Sequence, residues 1–473
     1  MIIGRNHEQQ IFDNCIQSTE SQFIAVYGRR RVGKTYLIRN YFGKNMVFQF
    51  TGLHEADTPT QLGQFTLELQ KYAGNKETIS PQKNWLSAMH TLKMLIEKSK
   101  STQKKVIFFD ELPWIATARS GFLSALENFW NTWASSRTDI ILVVCGSAAS
   151  WMIKNIVNNK GGLHNRINKK IRLMPFTLAE TEAYLKWKQI KLDRYQICQL
   201  YMAIGGIPFY LKEVPKGKSA MQIIDDLCFA KDGLLADEYN KLYESLFANS
   251  SYHKNIIEEL CSKNKGLTRQ QLIDNSDFTS GGGFNRILEE LIESGFVAKT
   301  LPHGKKNKDA LYYVLDSFSI FYNKFLKNIR IGKETWLKQM NSQTYITWSG
   351  FAFERLIMQH TSAIKKALEI GGIYTEESSW IGEYNNEKAQ IDLLIDRADN
   401  TVTICEAKFY NQKFALTKKI AADWKRKIEI FSNQSKTRKN ITFCVISTFG
   451  ITENEYSIGL VQSQLNLNDL FID

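Results

Sequence analysis

The spacing of apolar residues divides the chain into four stretches with different rhythms. In residues 1–175, short apolar runs alternate with longer amphipathic segments. A run of about five apolar residues suits a buried strand, and an amphipathic segment between two such runs is typical of a helix. The alternation predicts an α/β domain with a parallel sheet and helices on both faces. The predicted strands are Phe23–Tyr27, Met46–Phe50, Val106–Phe109, Ile140–Cys145 and Ile171–Met174.

The two middle stretches have no such alternation. Residues 176–249 have helical periodicity, interrupted at Gly205-Gly206-Ile207-Pro208, and are predicted to form a helical lid. Residues 250–325 predict three short helices and then a hairpin with a basic turn. That order is typical of a winged helix-turn-helix. The helices are expected at 252–262, from 268 onward and at 284–294 after Gly281-Gly282-Gly283, and the strands at 296–299 and 311–315.

Residues 326–473 return to a mixed pattern. A helix is predicted at 350–360, and strands are predicted at 389–395, 402–407 and 441–447. A basic amphipathic helix at 416–431 separates the last two strands. The first two strands are joined by the short turn 397–400, so we expect them to pair antiparallel. The whole chain is therefore predicted to be α/β, with domains at 1–175, 176–249, 250–325 and 326–473.

Composition adds three expectations. No apolar run approaches the roughly 20 residues of a membrane span, and no signal peptide is visible, so we expect a cytoplasmic protein without a membrane partner. The seven cysteines include no Cys-x-x-Cys pair, which favours reduced thiols. The net charge of +13 arises mainly in residues 1–175, where Lys and Arg outnumber Asp and Glu by 23 to 12. This excess indicates an anion-facing first domain.

Residues 28–35 read Gly-Arg-Arg-Arg-Val-Gly-Lys-Thr between a predicted strand and a predicted helix. This is the phosphate-binding pattern GxxxxGK[ST] in the context that gives it meaning. Lys34 is expected to contact the β- and γ-phosphates of ATP, and Thr35 to ligate Mg²⁺. An ordinary surface turn is the alternative. The loop residues expected to bind the cofactor are Gly28, Arg29, Arg30, Arg31, Val32, Gly33, Lys34 and Thr35.

Two further groups are predicted near the phosphates. Asp110 and Glu111 end an apolar strand, where Asp110 can hold Mg²⁺ and Glu111 can deprotonate the attacking water. A plain strand end with two acids is the alternative. Ser147 follows the next buried strand and is expected either to bond the γ-phosphate or its water, or to cap the helix after it.

These motifs resemble the AAA+-related P-loop ATPases of the archaeal-type family, close to the signal-transduction ATPases with numerous domains. In such relatives the opening Gly-Arg segment lies beside the nucleotide base, which implicates Gly4 and Arg5. Pro208, in Gly206-x-Pro208, looks like a lid motif that faces the nucleotide. Arg166 stands where the family often has an arginine that senses the γ-phosphate of its own or a neighbour's nucleotide. Arg166 is otherwise a solvated member of the basic run 166–172.

The two predicted strands after residue 388 carry a second set of charged groups. Pairing them brings Asp392 near Glu406 and Lys408, which share one face because strand side chains alternate. This arrangement resembles the restriction-endonuclease-like fold with its (P)D…(D/E)xK signature, although no proline precedes the aspartate here. The resemblance adds Glu354 as a helical acid and implies a Mg²⁺ site. Both cleavage and binding without cleavage are consistent with it.

Together these predictions describe an ATPase that binds ATP and Mg²⁺, couples nucleotide state to DNA binding and cleaves DNA if its last domain is active. The winged helix is either a DNA-contacting module, through Arg286 and the wing lysines 305, 306 and 308, or a packing module. The alternative function is an ATP-driven switch or scaffold that acts on a protein partner with a non-cleaving last domain. A homo-oligomer is also consistent with these predictions.

Overall fold

The computed structural model comprises two compact units, Met1–Met174 and Pro175–Asp473. It describes residues 1–74, 77–99, 103–159, 161–247, 249–263, 266–275, 282–328, 335–340 and 342–472. Gly281, part of the predicted triple-glycine turn, lies outside the described residues. No helix among the described residues is long and apolar enough to cross a membrane.

The first unit contains the predicted parallel sheet. Its strands lie in the order β2-β3-β4-β1-β5, with every neighbouring pair parallel. Strand β4 therefore separates β1, which precedes the phosphate loop, from β3, which ends in the two acids. The strands are β1 (Gln22–Tyr27), β2 (Met46–Thr51), β3 (Lys105–Asp110), β4 (Ile140–Gly146) and β5 (Lys169–Arg172).

Helices cover this sheet, and capping side chains set where two of them begin. Asp57 accepts a hydrogen bond from the Thr60 amide at the start of α3, and Asn84 with Ser87 forms a capping box at the start of α4. Phe65, Trp85 and many other aromatic and aliphatic side chains fill the resulting core. The helices are α1 (Asn6–Gln17), α2 (Lys34–Phe42), α3 (Thr58–Ala73), α4 (Trp85–Glu97), α5 (Leu112–Ile115), α6 (Phe122–Thr132) and α7 (Ala149–Met152).

The second unit begins with the predicted run of helices. Gly205 has φ 70°, and a Cβ on Gly206 would lie 2.1 Å from the Phe176 carbonyl oxygen, so this break needs glycine. Pro208 then occupies the first position of the next helix, where its missing N–H costs nothing. The helices are α8 (Leu178–Trp187), α9 (Arg194–Ile204), α10 (Pro208–Lys212), α11 (Ala220–Ile224) and α12 (Glu238–Leu246).

The described residues between 250 and 326 include three helices and a small antiparallel sheet, followed by a fourth, short helix. Thr268 and Gln271 form a capping box that starts the second helix at its predicted place. Strand order is β6-β8-β7, and β7 and β8 are the predicted hairpin. The elements are α13 (Ser250–Ser262), β6 (Leu267–Thr268), α14 (Arg269–Asp274), α15 (Gly282–Glu293), β7 (Val297–Thr300), β8 (Leu311–Val314) and α16 (Ser317–Phe321).

The last part of the chain builds a mixed five-stranded sheet in the order β15-β13-β11-β10-β9. Strand β10 pairs antiparallel with β9 and β11, and β13 pairs parallel with β11 and β15. The pairing of β10 with β9 shifts register between Ile391 and Leu394, which is a bulge at Asp392-Leu393. The elements are α17 (Gln343–Gln359), α18 (Thr361–Ala367), β9 (Thr375–Tyr384), β10 (Glu387–Arg397), β11 (Thr401–Lys408), β12 (Phe414–Ala415), α19 (Lys418–Ser435), β13 (Asn440–Ser447), β14 (Ile451–Thr452) and β15 (Ser463–Leu465).

Candidate functional site

The loop between β1 and α2 requires glycine at both ends. Gly28 has φ 139°, and a Cβ there would lie 2.4 Å from the Leu173 carbonyl oxygen. Gly33 has φ 91° and forms the N-cap of α2. Left-handed geometry of this kind turns successive amides toward one side of a loop, where they can bind an anion. The loop therefore has the backbone that a phosphate site needs.

Lys34 points back into this loop. Its Nζ donates to the carbonyl oxygens of Gly28 and Arg29, at 2.8 Å each, and the side chain is buried. Burial lowers the pKa of Lys34, while Cys145, Glu111 and Asp110 act in the opposite direction. Its partners in the loop are neutral carbonyls, so the ammonium charge stays available for an anionic ligand.

Thr35 and Asp110 come together although 75 positions separate them. The Thr35 hydroxyl donates to Asp110 Oδ2 at 2.9 Å, and the Glu111 amide donates to Asp110 Oδ1 at 3.0 Å. Burial raises the pKa of Asp110, and the Thr35 hydrogen bond partly offsets this. A hydroxyl and a carboxylate in contact offer the oxygen ligands that Mg²⁺ prefers. The residues present thus fit the predicted ion.

Glu111 is held by the neighbouring strand end. The Ser147 hydroxyl bonds its Oε1 and Oε2 at 3.0 and 2.7 Å, and the Ser147 amide donates to Oε2 at 3.2 Å. The alternative role of Ser147 as a helix cap is wrong. The N-cap of α7 is Ala148, and no side chain caps this helix through a hydrogen bond. Glu111 itself has φ 47°, an uncommon conformation for a non-glycine residue.

The strand order explains this arrangement. Because β4 lies between β1 and β3, and all three are parallel, their carboxyl ends form one edge of the sheet. Gly28, Asp110 and Ser147 all follow or end these strands. Residues distant in sequence thus meet where the phosphate loop begins.

A second cluster of charged groups lies in the C-terminal sheet. The bulge in β10 carries Asp392, whose Oδ2 accepts the Ala407 amide of β11 at 3.0 Å. Bulges often redirect a side chain next to a functional site. Asp392 is thereby fixed beside Glu406 and Lys408, as the predicted pairing required.

Glu406 is bound by two lysines. Lys427 Nζ lies 2.7 Å from Glu406 Oε1, and Lys408 Nζ lies 3.4 Å from Oε2. Glu406 is 1% exposed, so its ion pairs with Lys408 and Lys427 are shielded from bulk water. Burial alone would lower the pKa of Lys408. The charges of Glu406, Asp392 and Glu354 outweigh burial, so the pKa is raised.

Glu354 belongs to the same cluster. Burial and then the charge of Asp392 raise the pKa of Glu354 to about 8, with Glu406 adding to the effect. Converging acids of this kind favour a divalent cation. Within the described parts of the chain, however, no three His, Cys, Asp or Glu residues are arranged to hold a metal ion.

Comparison with known proteins bears on the first of these two clusters. Residues 3–214 match the model of an ATPase domain found predominantly in Archaea.

An uncharacterized protein of Methanocaldococcus jannaschii is 23% identical over 441 residues, which cover 91% of this chain and 92% of that protein. The Walker-type ATPase PABY2304 of Pyrococcus abyssi is 14% identical in sequence. It covers 68% of this chain and 96% of its own, with a TM-score of 0.46. The Aeropyrum pernix ORC2 protein in ADPNP–ADP complexes is also 14% identical. The match covers 72% of this chain and 95% of that protein, with a TM-score of 0.39.

Within the ATPase domain, the structure attaches the opening segment to the phosphate loop. Arg5 is buried, and its Nη2 donates to the Val32 carbonyl oxygen at 3.2 Å. Gly4 and Arg5 both have left-handed backbones, with φ 65° and 61°. The segment that the resemblance assigned to the nucleotide therefore lies against the loop.

Arg166 is not brought to the phosphate loop of its own chain. It is exposed, and it precedes β5 near the start of β1, since Lys169 pairs with Ile24. The phosphate loop follows the opposite end of β1, after Tyr27. The resemblance left open whether Arg166 senses its own or a neighbour's γ-phosphate, and the direction of β5 argues against its own. Pro208 belongs to the second unit, where it starts α10.

The sequence patterns did not predict two residues that contribute to these sites. Trp114, on α5, carries the Arg30 guanidinium over its ring at 5.5 Å and so fixes one loop arginine. Lys427 binds Glu406 from α19, a helix that was predicted as basic without any residue being assigned to the site. Lys427 lies three residues after the buried core residue Trp424, so both are on the same face of α19. This spacing could have predicted that Lys427 faces the sheet.

Proposed function

We propose that the chain binds and hydrolyses ATP at the edge formed by Gly28–Thr35, Asp110, Glu111 and Ser147. One observation carries this proposal most directly: the Ser147 hydroxyl and amide hold both oxygens of Glu111. A carboxylate fixed at a phosphate loop is placed to orient a water and accept its proton.

Each residue of the ATPase domain then has a separate task. Lys34 exchanges its bonds to the Gly28 and Arg29 carbonyls for bonds to phosphate oxygens. Thr35 and Asp110 would hold Mg²⁺, which would neutralise charge on the β- and γ-phosphates. Glu111 takes the proton of the attacking water, and Ser147 keeps its carboxylate oriented.

Substitution of Lys34 tests this site. Lys34→Ala is expected to abolish measurable ATP turnover, because the buried ammonium is lost while its exposed neighbour Lys44 is untouched. Lys44→Ala is the matched control, and circular dichroism confirms that both variants fold. Turnover and ATP affinity equal to wild type in Lys34→Ala would exclude the assignment.

We further propose that nucleotide state is coupled to DNA through the module at 250–326 and the C-terminal sheet. Three helices with a hairpin are the arrangement of a winged helix, and the side chain of Arg286 on α15 is 79% exposed. Lys305, Lys306 and Lys308 on the wing are exposed as well. Exposed cations on a helix and its adjoining wing suit contacts to phosphates.

The acid–lysine cluster consists of Asp392, Glu354, Glu406, Lys408 and Lys427. It supports the proposal that the chain cleaves a phosphodiester with Mg²⁺. Asp392 and Glu406 would hold the ion together with oxygens of the substrate phosphate, and the ion would activate water and stabilise the leaving oxygen. Lys408, with its raised pKa, stays protonated and can stabilise charge on the phosphate.

Cleavage is tested by incubating the full chain with plasmid DNA, Mg²⁺ and ATP. Asp392→Asn is expected to lose nicking, because the bulge aims this carboxylate at the cluster. Asp399→Asn is the matched control, since Asp399 lies in the turn at the other end of β10 and β11. Equal nicking by both variants would exclude the site.

A second candidate is a switch that acts on a protein partner without cleavage. The observation that favours it is the double ion pair of Glu406, because Lys408 and Lys427 already balance its charge without a metal. In that case wild type shows no nicking with any divalent ion, and DNA binding lacks the steep salt dependence of phosphate contacts.

Assembly is proposed through Arg166. This side chain is exposed at the edge of the sheet opposite the phosphate loop, so its target would be a neighbour's nucleotide. ATP turnover per chain should then rise with protein concentration, and Arg166→Ala should remove that rise.

A further inference from the structure

Two rows of aromatic rings border the acid–lysine cluster. The first row begins beneath Lys408, whose Nζ lies 5.8 Å from the Trp424 ring. Trp424 contacts Phe414 with ring centroids 5.9 Å apart, and Phe414 stacks on Tyr410 at 5.2 Å. The outermost ring, Tyr410, is 46% exposed. The row thus leads from the candidate catalytic lysine to the surface.

The second row begins beside Glu354. The ring of Phe353, the residue before it, lies 5.4 Å from Phe409, and Phe409 stacks on Tyr195 at 5.3 Å. Tyr195 in turn contacts Phe449 at 5.3 Å. Phe449 is 41% exposed. This row runs from the residue before Glu354 to an exposed ring.

The two exposed rings belong to loops that are fastened to each other. Tyr410 follows β11 and Phe449 follows β13, and these strands pair in parallel up to Lys408 and Ser447. The Tyr410 amide donates to the Thr448 hydroxyl at 3.1 Å, and that hydroxyl donates back to the Tyr410 carbonyl oxygen. Both rings are therefore held at one edge of the sheet, next to the cluster.

The chain near these rings is strongly basic. Residues 409–427 contain six Lys and Arg and one Asp. Lys413, Lys418 and Lys419 are exposed between Tyr410 and the first turns of α19. Exposed cations beside exposed rings are the combination by which proteins bind single strands, since cations contact the phosphates and rings stack on bases.

We infer that Tyr410 and Phe449 form a stacking platform that delivers single-stranded DNA to the acid–lysine cluster. This inference rests on the proposed phosphodiester chemistry and specifies its substrate class. In a duplex the base faces are already stacked on one another, so exposed rings gain contacts only with unpaired bases. The loop lysines then hold the backbone whose phosphate reaches Lys408.

The platform is tested by fluorescence anisotropy with the full chain, a labelled 20-nucleotide oligo(dT) and a 20-base-pair duplex, in EDTA. Wild type is expected to bind the single strand more tightly. The double variant Tyr410→Ala/Phe449→Ala is expected to lose about tenfold or more in affinity for it, in line with stacking on two bases. The same positions changed to Trp should retain binding.

Tyr374→Ala is the matched control, because Tyr374 is an exposed tyrosine just before β9, at the opposite end of the same sheet. Unchanged single-strand affinity in the double alanine variant overturns the platform, as does equal or tighter binding of the duplex, or binding of neither probe. Duplex binding with Mg²⁺-dependent nicking would overturn the platform alone and leave the proposed cleavage standing. EDTA keeps the binding result independent of whether the cluster cuts.

Discussion

The two charged sites of this chain neutralise their carboxylates in different ways. In the ATPase domain, Asp110 and Glu111 are bonded by hydroxyls and amides, and Lys34 is bonded by carbonyl oxygens. In the C-terminal sheet, Glu406 is bonded directly by Lys408 and Lys427. The first site thus keeps its opposite charges apart, whereas the second pairs them.

This difference determines what each site requires of a ligand. Exchanging a neutral hydrogen bond for a phosphate or a metal ligand gains charge–charge attraction, so the first site is prepared for Mg²⁺ and ATP. A metal entering the second site must compete with lysines that already satisfy a buried carboxylate. Nucleotide binding is therefore expected to be strong, and metal binding at the C-terminal sheet weak until substrate arrives.

The largest expected effect separates binding from hydrolysis in the ATPase domain. Glu111→Gln keeps the Ser147 contact but removes the base, so turnover should fall by about 10²–10⁴-fold with ATP affinity nearly unchanged. Steady-state turnover and equilibrium binding on one preparation measure both quantities. Glu55→Gln, an exposed glutamate of the same unit, should leave turnover unchanged. A turnover in Glu111→Gln close to that of wild type would contradict the role.

The C-terminal site is probed by removing a competing cation. Lys427→Met deletes the ammonium that lies 2.7 Å from Glu406 and should tighten Mn²⁺ binding at the cluster about tenfold. Lys425→Met, on the same helix but exposed, is the control. Mn²⁺ affinity measured by calorimetry decides. Equal affinity in both variants would mean that Lys427 does not oppose a metal.

A smaller effect than that of Glu111→Gln is expected where a hydroxyl only orients the base. Ser147→Ala leaves the amide contact to Glu111 but removes the hydroxyl, so turnover should fall about tenfold without a change in ATP affinity. Ser147→Thr, which restores the hydroxyl, should recover most of the rate. Loss of ATP affinity in Ser147→Ala would assign the residue to binding instead.

The last expected effect is on stability, and it compares the two units at acid pH. In the second unit, burial lowers the pKa of His360 to about 4, and its Nε2 accepts the Leu178 amide. The unfolded chain binds this proton below about pH 6.5, so stability should fall by about 2 kcal/mol between pH 7 and 5.

Asp139 represents the first unit. Burial alone would raise its pKa, but hydrogen bonds from Arg137 and Lys105 lower it to about 2. The stability that Asp139 contributes is thus lost only as the pH falls from about 4 toward 2. Urea unfolding of wild type and His360→Gln at pH 7 and 5 measures the difference. An identical pH dependence in both proteins would contradict the assignment to His360.

The sequence predicted most of the first site, because its pattern is local. The phosphate loop and the strand ends at Asp110 and Ser147 each carry their own signal. The position of β4 between β1 and β3 carries none, since strand order is set by tertiary packing, and it is what joins Ser147 to Glu111. The parallel direction of β5 beside β1 placed Arg166 at the end of the sheet away from the phosphate loop.

Less of the site in the C-terminal sheet could be predicted from the sequence. Strand β9 was not predicted, because its polar start Thr375-Glu376-Glu377-Ser378 has no apolar run. Helix α17 begins seven residues before the predicted start, where Ser342 caps a stretch rich in β-branched and aromatic residues. The predicted antiparallel pairing of β10 with β11 was correct. The bulge at Asp392 could not be predicted, because it depends on the register of β10 against β9.

The contrast between the two sites is tested most directly by counting bound Mn²⁺ with electron paramagnetic resonance in the presence of a non-hydrolysable ATP analogue. One tightly bound ion is expected in wild type and in Asp392→Asn, and none in Asp110→Asn. A tight ion that persists in Asp110→Asn and disappears in Asp392→Asn would contradict the account.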